Sequence, residues 1–493
     1  MSESRRDFLK AAVVATGGAL LPRQARGAGN GVRAEQPTRT VPPADYALRI
    51  HSAAIELAPK KIIGITTYDG QFPGPLLRFK EGREVTIDLF NDTDTPEQLH
   101  WHGQRISSDV DGAAEERTPF IPAHGHRRIT FTPQPSGFRF YHTHNRAGAN
   151  MAAGQYSGQV GPVYIEPKDN PGRYDREVFL VLKEFGPTLS RGGDMPMNFL
   201  PAVPKVKSLE DTGESAMKAS LASGQPHGYE VGYELFSING RMLGHGEPLR
   251  AKFGERVLLH VLNGSATEIR SLALPGHTFQ VVALDGNPVP TPSTVPVLWI
   301  GTGERVSALV EMRHPGVWVL GDTADDDRQH GMGMTVEYAG HKGKPVWTPP
   351  PRSHWDYTRF GATIAAATPD ETIELTFAKN NAAADGFNLW TINGKSFTMD
   401  DAPIARLQRG RRYRLRMRNA SDDIHPIHLH RHTFELTKVA GTPTSGVMKD
   451  VVMLDGYQEM EIDVVADNPG LTLFHCHQQL HMDFGFMAVF DYV

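Results

Sequence analysis

The chain has 493 residues and a formal net charge of −5 at pH 7. This length predicts more than one domain, and the lack of a basic excess argues against a nucleic-acid partner. The 49 glycines and 36 prolines, with only 22% charged residues, favour a turn-rich, all-β protein. After the N-terminal region no apolar run reaches the roughly 20 residues that span a membrane, so we expect no membrane span in the mature protein.

Residues 1–28 are predicted to be an export signal. The basic stretch 4–10 precedes a short apolar run, and small residues occupy positions 25–28, which is the order typical of a signal peptide. The pair Arg5 and Arg6, followed by Phe-Leu-Lys, resembles a twin-arginine signal. This resemblance implies export by the twin-arginine machinery to the periplasm or the exterior.

Two patterns recur three times along the rest of the chain. The first is an Asp-Gly or Asn-Gly turn followed by an alternating strand, an asparagine and a histidine, with strands predicted at 85–89, 257–262 and 413–418. The second closes each unit, at 136–144, 315–323 and 469–477. Fixed-order recurrence predicts three duplicated units, and short strands with Gly/Pro turns indicate β-sandwiches.

The predicted domains are residues 45–168, 175–341 and 352–493, joined by linkers rich in proline. The middle domain has Gly321 and Thr323 where the closing pattern of its neighbours has histidines, so we expect it to bind no metal. Residues 189–227 depart from the repeat. We interpret them as an excursion over the surface, with a substrate-shaping lid as the alternative.

Cys476 is the only cysteine of the chain. It lies between His475 and His477 at the end of a predicted strand, and His481 follows. Because successive strand side chains point to opposite faces, the two flanking histidines share one face and the thiol takes the other. A thiolate with imidazoles suits copper or zinc; a structural cysteine on a buried strand is the alternative.

Four His-x-His pairs lie at corresponding places in the first and third units. They are His100 and His102, His142 and His144, His428 and His430, and His475 and His477. These eight imidazoles converge only if the two units pack together, and they exceed the about four to six ligands of one metal ion, so a cluster of three fits. The remaining Cys476, His425 and His481 form the Cys-His₂ set of a trigonal electron-transfer copper site.

These motifs resemble those of the three-domain multicopper oxidases, a family that includes laccases and bacterial cuprous oxidases. The resemblance covers the chain after residue 45 and is carried by His-Trp-His-Gly (100–103), Tyr-His-Thr-His (141–144), His-Pro-Ile-His-Leu-His (425–430) and His-Cys-His (475–477). It implies three consecutive cupredoxin-like Greek-key β-sandwich domains and four copper ions. A trinuclear cluster would lie between domains 1 and 3, and the type 1 copper would lie in domain 3.

The resemblance also implies which residues hold each ion. His100 and His428 would hold the type 2 copper. The type 3 pair would be held by His102, His142, His144, His430, His475 and His477, and the type 1 copper by His425, Cys476 and His481. The implied activity is one-electron oxidation of phenols, aromatic amines or low-valent metal ions at the type 1 copper, coupled to four-electron reduction of O₂ to water. The partners are then O₂ and a small reducing substrate.

Two positions depart from parts of the family. The axial position of the type 1 copper falls on Phe486, whereas Met487 is one residue further and would point to the other face of a strand. We therefore predict a non-coordinating Phe486, with a bulge that brings Met487 to the copper as the alternative. Leu480 stands where some bacterial members have a glutamate, so proton delivery is assigned to Asp111. A structural Asp-Gly turn is the alternative for Asp111.

Three other functions share parts of this ligand pattern. A copper-resistance cuprous oxidase has the same ligands, and the sequence does not separate it from a laccase. A copper nitrite reductase needs only about three imidazoles at its second site, and a non-enzymatic cell-division scaffold of the same fold would have lost copper ligands. Outside the motifs, His124 and His126 are predicted to form a surface pair and His432 to have a packing role.

Overall fold

The computed structural model describes residues 42–168, 173–190, 228–362 and 364–493. The predicted signal at 1–28 and residues 191–227 of the predicted excursion lie outside these ranges. At the described end of the excursion, Thr188–Ser190 pairs antiparallel with Glu230–Gly232.

The first third of the described chain forms two facing four-stranded sheets. Their strands are β1 (Tyr46–Ala58), β2 (Lys61–Tyr68), β3 (Leu77–Lys80), β4 (Val85–Asn91), β5 (His100–His102), β6 (Gly125–Phe131), β7 (Gly137–His142) and β8 (Val160–Glu166). One sheet has the order β2-β1-β4-β6 and the other β3-β8-β7-β5. The second sheet therefore carries both histidine-bearing strands of this domain, β5 and β7, side by side.

The middle third repeats this arrangement with more strands. They are β9 (Arg176–Phe185), β10 (Thr188–Ser190), β11 (Glu230–Gly232), β12 (Leu235–Ile238), β13 (Leu249–Ala251), β14 (Arg256–Asn263), β15 (Arg270–Ala273), β16 (Phe279–Leu284), β17 (Asn287–Val295), β18 (Leu298–Ile300), β19 (Arg305–Glu311), β20 (Val317–Asp322) and β21 (Gly333–Tyr338). The two large sheets have the orders β12-β9-β14-β19-β16-β17 and β13-β21-β20-β15-β18.

The last third repeats it again. Its strands are β22 (Glu371–Ala384), β23 (Phe387–Ile392), β24 (Ala405–Leu407), β25 (Arg412–Asn419), β26 (His425–Leu429), β27 (Phe434–Val439), β28 (Thr442–Lys449), β29 (Val451–Leu454), β30 (Glu459–Val465), β31 (Gly470–Cys476) and β32 (Met487–Tyr492). The sheet orders are β23-β22-β25-β30-β27-β28 and β24-β32-β31-β26-β29. The predicted all-β architecture of repeated sandwiches is confirmed.

Strand β25 shows why the alternating segments form these sheets. Tyr413, Leu415 and Met417 are buried on one side, while the intervening arginines remain partly exposed on the other. These arginines face acidic residues of the antiparallel neighbour β30. Arg414 Nε, for example, lies 2.7 Å from Asp463 Oδ1. The period-two pattern thus places the apolar face in the core and pairs charges across strands on the outer face.

Helical segments are short. The described α-helices are α1 (Ser108–Asp111), α2 (Asp325–Gln329) and α3 (Gln479–Asp483), and the 3₁₀ segments are Ala114–Glu116, Gly154–Tyr156 and Tyr357–Phe360. Among the described residues, no helix has the length and apolar character needed to cross a membrane.

Candidate metal centre

Strand pairing brings the four His-x-His pairs together two by two. In the first domain His100 lies opposite His142 in the antiparallel pairing of β5 with β7. In the third domain His428 lies opposite His475 in the pairing of β26 with β31. Each of the two sheets therefore holds two neighbouring strands that carry histidines. Each of these four strands ends at or next to its His-x-His pair.

The two histidine-bearing sheets face each other. The ring of His102 stacks on that of His428 with centroids 3.8 Å apart, and His100 stacks on His430 at 3.9 Å. Both contacts join a residue of the first domain to one of the third. The prediction that eight imidazoles converge through packing of the outer domains is confirmed.

These eight imidazoles are fully buried or nearly so. Burial, with mutual repulsion among the rings, holds the pKa far below its usual value for His102, His142, His144, His428, His430 and His477. Burial lowers the pKa of His475 to about 3. Neutral imidazole is the form that offers a lone pair to a metal ion.

In several of these rings, one of the two nitrogens donates a hydrogen bond to a group outside the histidine cluster. The Nδ1–H groups of His100, His142, His428 and His475 donate to backbone carbonyl oxygens at 2.7–3.0 Å. His102 is the reverse case, because its Nε2–H donates to Asp450 Oδ1 at 3.0 Å. Such outer hydrogen bonds set the tautomer and orientation of a metal-binding imidazole.

Other ring nitrogens of these histidines are buried but have no hydrogen-bond partner. This holds for Nε2 of His100, His142 and His428, for Nδ1 of His102, and for both nitrogens of His144 and His477. Unpartnered buried nitrogens are costly, so their convergence from two domains is the chemistry expected of metal ligands. Ligand atoms of His144, His430 and His475, for example, lie within 4.8 Å of one another. The residues fit a multinuclear centre.

The Cys-His₂ set also assembles. Cys476 Sγ lies 3.7 Å from His425 Nδ1 and 3.5 Å from His481 Nδ1, and the two nitrogens are 3.2 Å apart. Ligands at ordinary nitrogen and sulfur distances from one trigonal metal would be about 3.5–3.8 Å apart. Burial raises the pKa of the Cys476 thiol, a cost that a bound cation would offset. The three atoms fit a single ion.

The two candidate axial residues occupy different places. The Phe486 ring packs on His425 at a centroid distance of 4.7 Å and lies beside Trp390. Met487 pairs with His475 in the register of β31 and β32, so it shares the face of His475 rather than that of Cys476. Met487 is buried instead in a cluster with Phe397, Leu473 and Met482.

The Asp111 carboxylate is buried beside two of the converging imidazoles. Its Oδ2 lies 2.9 Å from Nδ1 of both His100 and His430, and its Oδ1 is buried without a partner. Gly112 follows with φ of 100°, and a Cβ there would lie 1.9 Å from the carbonyl oxygen of Leu99. The Asp-Gly turn exists, and its glycine lets the turn approach β5 closely enough for the carboxylate to reach two rings.

A cleft of about 1190 Å³ opens beside the cluster, and sequence reasoning missed the acids that line it. Glu115 and His144 lie on its wall with their Oε2 and Nδ1 atoms 3.7 Å apart. Burial raises the pKa of Glu97 to about 7, although hydrogen bonds from Gln159 and others oppose this shift. The cleft therefore brings ionisable groups next to a predicted ligand, and no local sequence pattern marks them.

The histidines predicted to be outside the centre remain outside it. His124 and His126 are exposed and pair with Asp94 and Asp88 at 2.8 and 2.9 Å. His432 is buried and its ring stacks on Tyr492 at 4.2 Å. These predictions of a surface pair and of a packing role are confirmed.

Comparison with known proteins places the whole chain in one family. Profiles described as multicopper oxidase match residues 50–170, 210–338 and 366–493. The multicopper oxidase MmcO of Mycobacterium tuberculosis is 30% identical and aligns over 88% of this chain and 84% of its own. An L-ascorbate oxidase of Brassica rapa is 25% identical over 86% of this chain and 88% of its own.

Solved structures show the same fold. A laccase from Botrytis aclada superposes with a TM-score of 0.71 at 19% identity, covering 90% of this chain and 87% of that one. A multicopper oxidase from Pseudomonas thermotolerans gives 0.68 at 24% identity, covering 92% and 100%. The chain belongs to the multicopper oxidase family. It is a copper-dependent oxidoreductase that uses O₂ as acceptor, on a fold of cupredoxin domains.

Proposed function

We propose that the protein is a laccase-like oxidase with four copper ions at the residues predicted from its motifs. The type 1 ion takes His425, Cys476 and His481, and the type 2 ion takes His100 and His428. The type 3 pair takes His102, His142, His144, His430, His475 and His477. The observation that carries this proposal is the convergence of eight buried imidazoles from two domains, six of which have a buried ring nitrogen without a partner.

Copper, when bound, supplies one-electron redox chemistry that couples oxidation of a reducing substrate to four-electron reduction of O₂ to water. The polypeptide supplies a short connection between its two sites. Cys476 is covalently joined to both His475 and His477, and its carbonyl oxygen accepts a hydrogen bond from His475 Nδ1–H at 2.8 Å. Trp390 and Phe486 cover the Cys-His₂ set and exclude water from it.

Asp111 is the proposed acid–base residue. Its Oδ2 accepts a hydrogen bond from His430 Nδ1–H and lies 2.9 Å from His100 Nδ1, whose own hydrogen bond goes to the Asp111 backbone carbonyl, and its buried Oδ1 has no partner in the protein. Reduction of O₂ to water consumes protons, and a positioned carboxylate is a common donor for such steps. Leu480 offers no proton, so Asp111 is the carboxylate that both the motif spacing and the contacts favour.

The substrate class remains phenols, aromatic amines or low-valent metal ions. Relatives are described as L-ascorbate oxidase, laccase and bilirubin oxidase, which supports small organic reductants, and one structural neighbour is described as a metallo-oxidase.

We also propose export by the twin-arginine route to the periplasm or exterior. Strand ranges Tyr46–Glu166, Arg176–Tyr338 and Glu371–Tyr492 support the domain partition 45–168, 175–341 and 352–493.

Two measurements test the proposal. Metal analysis of the purified protein should give about four copper ions per chain, and a value of one or two would contradict the cluster assignment. Oxygen uptake should then be measured with a panel of phenols, aromatic amines, Fe(II) and Cu(I). Turnover of organic reductants alone would define a laccase, whereas turnover of Cu(I) alone would define the copper-resistance alternative.

A further inference from the structure

Asp450 holds two of the proposed copper ligands at once. Its carboxylate Oδ1 accepts the hydrogen bond from His102 Nε2–H at 3.0 Å, and its backbone carbonyl oxygen accepts that from His428 Nδ1–H at 2.7 Å. These histidines belong to the first and third domains, and their rings stack on each other. One residue therefore fixes the orientation of a ligand from each side of the cluster.

Asp450 is held in turn by the middle domain, which has no proposed ligand of its own. The guanidinium of Arg305 donates two parallel hydrogen bonds, from Nη1 to Oδ1 and from Nη2 to Oδ2 of Asp450, each 2.6 Å long. Asp285 accepts from the backbone N–H groups of Asp450 and Val451 at 3.2 and 3.1 Å. All of these side chains are fully buried or nearly so.

The guanidinium of Arg305 contacts all three domains. Its Nε donates to the carbonyl oxygen of Phe138 in the first domain at 3.3 Å, and Nη1 donates to that of Gly303 in its own domain at 2.9 Å. The third contact is the Asp450 pair. Because a guanidinium carries five donors in a fixed plane, each contact constrains the others.

Two glycines make room for this arrangement. A Cβ on Gly103, the last residue of the His-Trp-His-Gly motif, would lie 2.5 Å from Arg305 Nη2 and 2.6 Å from Asp450 Oδ2. A Cβ on Gly303 would lie 2.8 Å from the ring of His477. Both have positive φ, at 77° and 79°. Gly103 of the first domain thus leaves room for Arg305 and Asp450, and Gly303 lets the backbone of the middle domain lie against His477.

We infer that Arg305 is a positioning residue of the cluster: through Asp450 it fixes the imidazoles of His102 and His428. The middle domain is then part of the copper centre without supplying a ligand. This inference rests on the ligand assignment proposed above. Outer partners of this kind change metal affinity or activity by about 10- to 100-fold when removed.

A lysine at this position separates positioning from charge. Arg305→Lys keeps the positive charge next to Asp450 and Asp285 but cannot form the two parallel hydrogen bonds. The matched control is Arg270→Lys. Arg270 is also fully buried in the middle domain and pairs with Glu184 and Asp327, but in the described structure none of its hydrogen bonds goes to a proposed ligand or to Asp450.

Each variant of the full-length holoenzyme is measured for thermal stability, copper content, blue absorption and the electron paramagnetic resonance signal of the type 2 ion. We expect Arg305→Lys to keep the blue absorption of the Cys-His₂ site. The type 2 signal should change, and copper titration of the apoprotein should show about 10- to 100-fold weaker binding at the cluster. Arg270→Lys should lower the melting temperature while copper binding and the type 2 signal stay as in the wild type.

The inference is wrong if Arg305→Lys leaves cluster copper and the type 2 signal unchanged, or if Arg270→Lys alters them equally. Should Arg305→Lys fail to fold, Asp450→Asn, compared with Asp327→Asn, decides in the same way. A wild-type protein with fewer than about four copper ions per chain would instead refute the ligand assignment, so the two failures are distinguishable.

Discussion

The backbone N–H of Cys476 donates a hydrogen bond of 3.1 Å to the carbonyl oxygen of Phe486. This bond ties the end of β31 to the residue that precedes β32 and fixes the Phe486 ring against His425. The side chain next to the proposed type 1 site is therefore an apolar ring that offers no ligand atom. A copper site with a weak or missing axial ligand differs in reduction potential from one with a thioether ligand.

Replacing Phe486 by methionine should therefore lower the type 1 reduction potential, because a thioether near the ion stabilises the oxidised form relative to an apolar ring. Redox titration of the blue absorption measures the shift. Met487→Leu is the control and should leave the potential unchanged, since Met487 lies in the cluster with Phe397 and Met482. A shift in Met487→Leu and none in Phe486→Met would identify Met487 as the axial residue.

Cys476→Ser should abolish the blue absorption and the oxidase activity, because serine removes the only thiolate of the chain. His475 and His477, the proposed cluster ligands on either side of this position, are unchanged, so about three copper ions per chain should remain bound. Absorption spectra and metal analysis on the same sample check both parts. Persistent blue colour would show that the absorption does not come from a Cys476 thiolate and would contradict the proposed type 1 site.

Asp111→Asn should slow oxygen uptake by about 10²- to 10⁴-fold, the usual contribution of a positioned acid or base, while copper content stays at the wild-type value. The amide keeps an oxygen that can accept a hydrogen bond from one imidazole but cannot deliver a proton. Asp109→Asn, an exposed position of the same helix α1, serves as the control. If both variants turn over at the wild-type rate, the role of Asp111 is confined to its Asp-Gly turn.

Glu97 should make the protein less stable as pH rises. Burial raises its folded-state pKa to about 7 from the ordinary value of 4.5, so between these values the unfolded chain loses the proton first. The stability of the wild type should therefore fall relative to that of Glu97→Gln as pH increases across this window, by about 3 kcal/mol in total.

Melting temperatures of the two proteins from pH 4 to pH 8 test this prediction. Glu84→Gln, at an exposed position, is the matched control for removal of a carboxylate. A difference between Glu97→Gln and the wild type that is constant would show that the Glu97 carboxyl is ionised in the folded protein at neutral pH.

The sequence predicted those parts of the centre that local patterns carry. His-x-His pairs report two imidazoles on one side of a strand, and the threefold recurrence indicated which strands would occupy equivalent places. The offset of Phe486 and Met487 was readable because strand side chains alternate with a period of two. These features need only a few neighbouring residues to be recognised.

Asp450, Arg305 and Glu97 could not be identified in the same way. Asp450 is 348 residues from His102 in sequence, and Arg305 lies in a domain whose repeat lacks histidines at the motif positions. A buried charge has the same one-letter code as an exposed one, and only tertiary packing determines which partner it meets. Asp450 and Arg305 meet where the three domains come together, whereas Glu97 is buried within the first domain beside Asn145 and Gln159.

The stacking of His102 on His428 joins the first and third domains and so has a consequence for when copper can be bound. Half of the cluster histidines lie before residue 145 and the other half after residue 427, so a ribosome-bound chain has no complete site until translation is nearly finished. Copper loading must follow complete synthesis and docking of the outer domains. A chain that stops before β31 would lack His475, His477 and the thiolate of Cys476. Complete and incomplete chains would therefore differ in their ability to bind copper.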